Sequence, residues 1–304
     1  MSRIVIGVDG SERSEDAVAF GRVLAQASGA PVTVASAYPF EPAAARDARS
    51  EYGEFLRRDA EKTLEQISAP LRDLRGLEMR FVADRSPARA LQHLAGELDA
   101  GVIVVGSSHT GRAGRVLPGS TGERLLHGSP CPVAVVTHGF RSAEARKPWV
   151  IACAWDGRPE SDAALGAAEG LARSFSATLR VIRVLEPEHA VYPSELGVRY
   201  GQVIENARET ARRAPEGRVA HLAESVRGEG TLHEGDAAHE LIDVSGLVDL
   251  MVIGSRGYGP LRAVLLGGVS GKVLRGAACP VIAIPNGARS TIGSLFTAVA
   301  TDRA

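Results

Sequence analysis

The sequence predicts an α/β protein made of two tandem halves, each with a parallel β-sheet that helices cover on both faces. Short apolar runs alternate with longer amphipathic segments, and the same order of segments occurs twice along the 304 residues. Strands that alternate with helices are typical of parallel sheets wound on both faces. A chain of this length is near the practical limit for one core, whereas two halves can each bury a complete core.

Two stretches that contain glycines show the duplication most clearly. They are residues 102–136 and 250–284, which align without gaps. The starts of the two halves, residues 5–25 and 151–172, also match. A repeated unit of about 145 residues is too long for a solenoid repeat and has the usual size of a domain. The aligned pairs include Asp9 with Asp156, Gly106 with Gly254, Gly119 with Gly267, and Cys131 with Cys279.

In the first half, apolar runs predict the strands and apolar residues at helical spacing predict the helices. Ser14 with the two acidic residues after it suits a helix start, Gly29 suits the end of that helix, and Pro87 suits a first turn. The predicted order is strand 4–8, helix 14–28, strand 32–37, a helix within 41–71, strand 77–82, helix 87–98, strand 102–105, glycine loop and short helix, and strand 133–136.

The second half repeats this order, although its third strand admits more than one register. The predicted order is strand 150–154, helix 161–173, strand 178–184, a helix at about 197–213, a strand within 218–226, helix 237–247, strand 250–253, glycine loop and helix 269–275, and strand 281–284. The last residues carry one weak apolar patch and predict a frayed or loosely docked end. The expected domains are 1–138 and 148–287, with a linker at 139–147 and a tail at 288–304.

The last strand of each half, at Val133–Val136 and Val281–Ile284, should lie at a sheet edge and therefore needs a partner. We expect these two strands to pair with each other across a pseudo-two-fold axis. The two five-stranded sheets would then form an internal pseudo-dimer. Association of two whole chains into a homodimer is left open by the sequence.

Composition favours a globular protein in the cytoplasm. A net charge of -1 gives no reason to expect nucleic acid or an anionic membrane as a partner. Three cysteines do not make a disulfide framework, and Cys131 and Cys279 suggest small buried side chains. The N-terminal apolar run is too short for a signal peptide, and no segment has the length of a transmembrane helix. The histidines have no metal-ligand spacing, so no metal site is expected.

Each half has a strand that ends in glycines and leads into a helix. Glycines let the backbone approach a ligand closely, and the N–H groups of the first helical turn point towards it. This arrangement commonly holds phosphate. Turns alone also explain isolated glycines. The recurrence of an Asp-Gly turn ahead of the same loop, at Asp9 and Asp156, favours a ligand-binding role.

These features resemble the universal stress protein family in its tandem two-domain form. The shared pattern is an Asp-Gly turn after the first strand, then G-x2-G-x9-G-(S/T) before a helix, then Cys-Pro before the last strand. The resemblance covers about residues 3–137 and 148–285. It implies a Rossmann-like, five-stranded parallel sheet of the adenine nucleotide-binding kind in each half. It also implies ATP, with or without Mg²⁺, as the ligand of a stress-response regulator, although members that lack the loop bind no nucleotide.

In the second half, the resemblance places Asp156 beside the nucleotide and Val184 at the strand end whose backbone meets adenine. Gly268 departs from the pattern because it stands where a hydroxyl residue is expected, and Ser270 could supply that hydroxyl. The backbone N–H groups after the third glycine would hold phosphate. The implied site residues are Asp156, Val184, Gly254, Gly257, Gly267, Gly268, Val269 and Ser270.

In the first half, Asp9 and Ala37 match the acidic and adenine positions, and His109 departs from the pattern. Its imidazole stands where the second glycine belongs and could either block the phosphate path or donate to phosphate. The implied site residues are Asp9, Ala37, Gly106, His109, Gly119, Ser120 and Thr121. The loop arginines, which could meet phosphate or remain solvated, are Arg112, Arg115, Arg256 and Arg262.

The sequence therefore favours an ATP-binding regulatory protein and not a metabolic enzyme, with no catalytic residue assigned. One alternative is a nucleotide-free interaction module of the same fold, since each loop departs once from the pattern. Another is an ATP-pyrophosphatase or adenylyl-transferring enzyme. The glycine-serine loop that such enzymes place after their first strand is missing, because these positions read DGSERS and DGRPES. Slow ATP hydrolysis, the half that holds nucleotide and the protein partner are left open.

Overall fold

The computed structural model describes residues 2–38, 51–84, 86–108, 114–116, 118–141, 148–186, 209–210, 212–222, 224–255, 268–285 and 292–296. Within these residues, ten strands form one continuous sheet, and helices lie on both of its faces. The α/β class and the tandem arrangement of two parallel sheets are confirmed.

The first half contains each predicted strand and helix, with ends that differ by a few residues. Gly29 ends the first helix in a left-handed conformation, with a φ angle of 64°, and its N–H donates to the Ala25 carbonyl. Ser86 caps the third helix by accepting from the Arg89 N–H. The strands are β1 Arg3–Val8, β2 Val32–Tyr38, β3 Glu78–Ala83, β4 Ala100–Gly106 and β5 Val133–Val136. The helices are α1 Glu12–Ser28, α2 Glu51–Ser68, α3 Pro87–Glu97 and α4 Ser120–Leu126.

The second half follows the same order. Its strands are β6 Val150–Ala154, β7 Thr178–Leu185, β8 Gly228–Glu234, β9 Leu250–Ser255 and β10 Val281–Pro285. Its helices are α5 Pro159–Phe175, α6 at residues 209–210 and 212–219, α7 Ala237–Val244 and α8 Gly268–Gly276. The glycine loops lie largely outside the described residues, as do most of the linker and of the tail.

The predicted third strand of this half, within residues 218–226, is wrong. Residues 218–219 belong to α6, which was expected to end near residue 213, and the strand is β8. A Cβ atom on Gly228 would lie 2.6 Å from the side chains of Leu222 and Val219, and one on Gly230 would lie 2.6 Å from the backbone of Pro215. Glycine therefore lets the α6 segment pack directly on β8. A pattern that treats glycines as loop signals misses such a strand.

The predicted pairing of the two last strands is confirmed. The order across the sheet is β3-β2-β1-β4-β5-β10-β9-β6-β7-β8, and the described neighbours are parallel except for β5 and β10. In this antiparallel pair, Ala134 lies opposite Ile282 at the centre of the register. All four residues of β5 and all five of β10 are buried. The two halves therefore share one sheet, as an internal pseudo-dimer.

Two apolar layers enclose this sheet. The layer on one face includes residues of α1, α2 and α5, and the layer on the other includes residues of α3, α4, α7 and α8. Cys131 and Cys279 are buried and unpaired, as the sequence predicts, and Cys153 is buried as well. Burial raises the pKa of the Cys131 thiol to about 12. These thiols therefore act as small apolar side chains at neutral pH.

Part of the C-terminal tail is docked, so the prediction of a frayed or loosely docked end is wrong for residues 292–296. Ile292 and Leu295 are fully buried in a 3₁₀ turn, and the Phe296 ring contacts Phe175 of α5 at a centroid distance of 6.3 Å. A Cβ atom on Gly101 of β4 would lie 2.6 Å from Leu295. The turn therefore contacts both halves. A segment this short has no helical period from which its buried side could be read.

We expect Leu295→Ala to lower the free energy of unfolding by about 2–4 kcal/mol, because it leaves a cavity against β4 and α5. Leu247→Ala is the matched control, since Leu247 is 73% exposed, and its change should be about 0.5 kcal/mol or less. Urea denaturation followed by circular dichroism measures both values. Equal stability of the two variants would contradict the docking of the tail.

Candidate functional site

A cleft of about 610 Å³ opens in the second half, at the carboxyl ends of β6, β7 and β9. The chain leaves β6 towards β7 on one side and leaves β9 towards β10 on the other. In parallel α/β sheets, ligands bind where the chain connections diverge in this way. The N-terminal ends of α5, α7 and α8 also border the cleft. The fold therefore places three helix starts around one cavity.

Asp156 lies on the cleft wall in a rigid turn directly after β6. Its Oδ1 accepts from the Arg158 N–H at 3.1 Å, and its Oδ2 lies 3.4 Å from the Arg158 guanidinium. The Ser161 hydroxyl accepts from the N–H groups of Asp156 and Arg158 and donates to the Arg158 carbonyl at 2.8 Å. Gly157 has a φ angle of 84°, which glycine adopts without strain. These bonds fix the carboxylate at the edge of the cavity.

The end of β7, the strand next to β6, also lines the cleft, and Val184 there is half-buried. Ile182, Leu241 and Ile253 add apolar surface to this part of the cavity. Such a wall suits the flat, largely apolar face of a base.

Trp155 and Arg183 also line the cleft, although the sequence analysis did not single them out. The Arg183 guanidinium carbon lies 5.9 Å from the centre of the Trp155 ring, and the indole N–H donates to Asp162 at 2.8 Å. Their first-half counterparts by alignment are Val8 and Ser36. A large aromatic residue directly before the Asp-Gly turn is the signal that could have identified this wall.

Gly254 lines the cleft, but glycine is needed there first of all because α5 packs closely against β9. A Cβ atom there would lie 2.6 Å from the Glu160 carbonyl oxygen in the first turn of α5. Gly106 in the first half meets the backbone of Arg13 in the same way. Glycine at these two positions therefore allows the first helix of each half to approach the strand. This requirement exists whether or not a ligand is bound.

The first three residues of α8, Gly268 to Ser270, line the cleft. The N–H groups of a first helical turn have no acceptor within the helix, and this end of a helix carries partial positive charge. Gly268 is exposed, and among the described residues beyond the adjoining backbone, no atom lies within 4 Å of a Cβ atom built there. Ser270 is buried, with 9% of its surface exposed. Gly257 and Gly267, the other predicted glycines, lie outside the described residues.

Lys272 of α8 is a further cation on the cleft wall that the sequence analysis missed. Its Nζ lies 3.6 Å from Oδ2 of Asp236, which precedes α7. The pKa of Asp236 is lowered, chiefly because its carboxylate accepts the His239 N–H and to a lesser extent because of Lys272. Lys272 stands four residues after Gly268, a spacing that places both on one helix face and could have revealed it.

The first-half counterpart of this site is only partly described. Asp9 Oδ1 accepts from the Ser11 N–H at 3.0 Å and from the hydroxyls of Ser11 and Ser14 at 2.6 and 2.8 Å. Gly119 precedes α4, which begins at Ser120 and includes Thr121, and Ala37 lies in β2. His109 lies outside the described residues, so its two alternatives stay open.

The described part of the first-half glycine loop contacts the other half. The Arg115 guanidinium donates to the Gly276 carbonyl at 2.7 Å, and the Val116 N–H donates to the Ala277 carbonyl at 2.7 Å. Glu123 of α4 forms an ion pair with Arg275 at 2.9 Å. Arg115 was expected either to meet phosphate or to be solvated. Its side chain is exposed, as the second alternative predicts, and it also binds the C-terminal end of α8. Arg112, Arg256 and Arg262 lie outside the described residues.

No helix in the described part of the chain is both long enough and apolar enough to cross a membrane. Among the same residues, no group of three or more histidine, cysteine, aspartate and glutamate side chains could hold a metal ion.

Known proteins are similar to this chain over most of its length. The sequence model of the universal stress protein family matches residues 1–137 and 150–285. A universal stress protein of Mycolicibacterium smegmatis is 29% identical over 294 residues, which cover 92% of this chain and 96% of that protein. Universal stress protein Rv2319c of Mycobacterium tuberculosis is 29% identical over 222 residues, which cover 69% of this chain and 73% of that protein.

Solved structures show the same fold. A universal stress protein from Archaeoglobus fulgidus has a TM-score of 0.59 at 18% identity and covers 94% of this chain and 98% of its own. A protein of unknown function from Pseudomonas aeruginosa PAO1 has a TM-score of 0.65 at 15% identity and covers 100% of this chain and 98% of its own.

Proposed function

The chain belongs to the universal stress protein family, and from this premise we propose that it is a regulatory protein whose second half binds ATP. The observation that carries the proposal is the cleft at the ends of β6, β7 and β9, into which α8 directs its N-terminal residues. Its volume of about 610 Å³ lies within the range of pockets for small molecules. An apolar wall and a helix N-terminus meet in one cavity, as a base and its phosphates require.

The proposed contacts follow the chemistry of the walls. The nucleotide base would lie along the end of β7 near Val184, and the Asp156 carboxylate would accept hydrogen bonds from ribose. The phosphates would lie at the N–H groups of the first turn of α8, from Gly268 to Ser270. Gly257 and Gly267 enter this proposal through the family resemblance alone. A Mg²⁺ ion would arrive with the phosphates, as is usual for this cation.

For the first half, we propose mainly an interaction role. Its loop residues Arg115 and Val116 bind carbonyls at the end of α8, and Val116 is fully buried. This is the specific observation that favours the alternative of an interaction module, here within one chain. The retained residues Asp9, Gly119 and Thr121 keep the first half as the second candidate for nucleotide.

A test of the proposed site is to restore the family's hydroxyl residue with Gly268→Ser. The added side chain has space in the described part of the structure, where no atom beyond the adjoining backbone lies within 4 Å of its Cβ position. An added hydroxyl donor to phosphate should tighten ATP binding by about threefold to tenfold. Calorimetric titration with ATP measures the change, and Gly246→Ser, at an open position near the far end of α7, is the matched control.

If the protein binds ATP with an affinity that neither Gly268→Ser nor Gly246→Ser changes, the nucleotide binds elsewhere in the molecule. If the unmodified protein binds no adenine nucleotide at millimolar ATP, the proposed function fails, and the interaction-module alternative replaces it.

A further inference from the structure

Lys272 is placed to reach the start of α8, although it lies one turn inside the helix. Side chains on an α-helix lean towards its N-terminus, so a lysine at position 272 has the start of α8 within reach of its side chain. It lines the same cavity as the first three residues of the helix. A lysine carries a positive charge at neutral pH. The region proposed to hold phosphates therefore has an exposed cation on the same cavity as its backbone donors.

In this structure Lys272 is paired with a carboxylate that is held in place at the start of α7. Asp236 Oδ1 accepts the His239 N–H at 2.9 Å, which ties the side chain to the start of α7. Its other oxygen, Oδ2, lies 3.6 Å from the Lys272 ammonium. The two side chains are 62% and 56% exposed, so water screens their attraction. This ion pair can therefore be exchanged for a stronger one.

Two other described cations on the cleft wall also have partners within the protein. Arg158 faces the Asp156 carboxylate at 3.4 Å, and Arg183 lies over the Trp155 ring. Neither stands on α8, the helix whose first turn is proposed to hold the phosphates. Of these three cleft cations, Lys272 is the one suited to follow a phosphate.

We propose that Lys272 exchanges Asp236 for the terminal phosphates of a bound nucleotide, so that the cleft selects triphosphates over AMP. This role rests on the proposed ATP site. It adds the Lys272 ammonium as the group that distinguishes a triphosphate from a monophosphate. Asp236 opposes binding in the empty state, because it competes for the ammonium and repels phosphate. Binding would move the lysine from α7 to the ligand and leave the Asp236 cap in place.

Calorimetric titrations with ATP and with AMP test this exchange in four proteins. Lys272→Gln should lower ATP affinity by about tenfold and change AMP affinity by about twofold or less, because a charge-assisted bond to the terminal phosphates is lost. Asp236→Asn keeps a capping residue and should raise ATP affinity by about threefold. Arg124→Gln changes the aligned first-half residue and should leave both affinities unaltered.

The outcomes separate this inference from the proposed function. If the unmodified protein binds ATP but Lys272→Gln weakens ATP and AMP equally, or weakens neither, the selective role is overturned while the ATP site stands. Loss of ATP in Arg124→Gln alone would overturn it as well and transfer the site to the first half. Absence of any nucleotide binding in the unmodified protein overturns both.

Discussion

Gly254→Val is expected to lower the free energy of unfolding by about 3 kcal/mol or more, because a side chain cannot fit between β9 and α5. A Cβ atom at this position would lie 2.6 Å from the Glu160 carbonyl oxygen. The obstacle is backbone in the first turn of α5, one face of which is buried in the core, so relief requires α5 to move away from the sheet. Urea denaturation followed by circular dichroism measures the effect.

Gly268→Val is the matched control, since it adds the same side chain to the same cleft. Gly268 is exposed at a helix start, and no atom of the described residues beyond the adjoining backbone lies within 4 Å of its Cβ position. Its free energy of unfolding should change by about 0.5 kcal/mol or less. If Gly254→Val unfolds at the same urea concentration as this control, the packing role of Gly254 is wrong.

This contrast separates stability from binding at the two glycines. A bulky residue at Gly254 or Gly106 would remove ATP by disturbing the fold, whichever half binds it, because both positions meet helix backbone. A substitution at Gly268 acts on the cavity alone. Variants at Gly268 are therefore the ones that report on the ligand.

Gly268→Asp is expected to lower ATP affinity by about a hundredfold, because a carboxylate at the start of α8 would face several phosphate charges. An acidic residue in the first turn of a helix interacts favourably with the helix dipole, so the fold should not be weakened. Adenosine, which has no phosphate, should retain its affinity to within about twofold. Titrations with ATP and adenosine, together with a thermal melt, measure the three effects.

Gly246→Asp adds the same charge in the 3₁₀ turn that follows α7, where the described residues place no atom beyond the adjoining backbone within 4 Å of the Cβ position. α7 begins at the cleft, so this position is about a helix length away from it. ATP affinity should therefore stay close to that of the unmodified protein. An equal loss of ATP in both variants would indicate a general effect of charge and contradict a phosphate site at Gly268.

Most of the fold could be predicted because its signals are local and occur twice. The apolar runs of β4 and β9 stand alone between turns, and Gly29 ends α1 as expected. The pairing of β5 with β10 follows from two last strands that each need a neighbour. Strand β8 was not predicted because it contains Gly228 and Gly230. These glycines allow the α6 segment to pack against the strand, and this contact can be seen only in the folded structure.

The candidate site could be predicted in its backbone parts and less well in its side chains. Asp156, Gly254 and the start of α8 meet at one cleft, as the alignment of the halves suggests. The sequence could not show that Gly254 is required by α5, because the contact joins residues far apart in the chain. Arg115 was ambiguous for the same reason, since its partner is the carbonyl of Gly276.

The central claim is that the second-half cleft binds ATP, and the most direct measurement is a calorimetric titration of the unmodified protein and Gly268→Asp with ATP. We expect saturable binding to the unmodified protein, and binding weakened by about a hundredfold in the variant while its thermal melt is unchanged. Binding of ATP that Gly268→Asp leaves intact, or no binding by the unmodified protein at millimolar ATP, would contradict the claim.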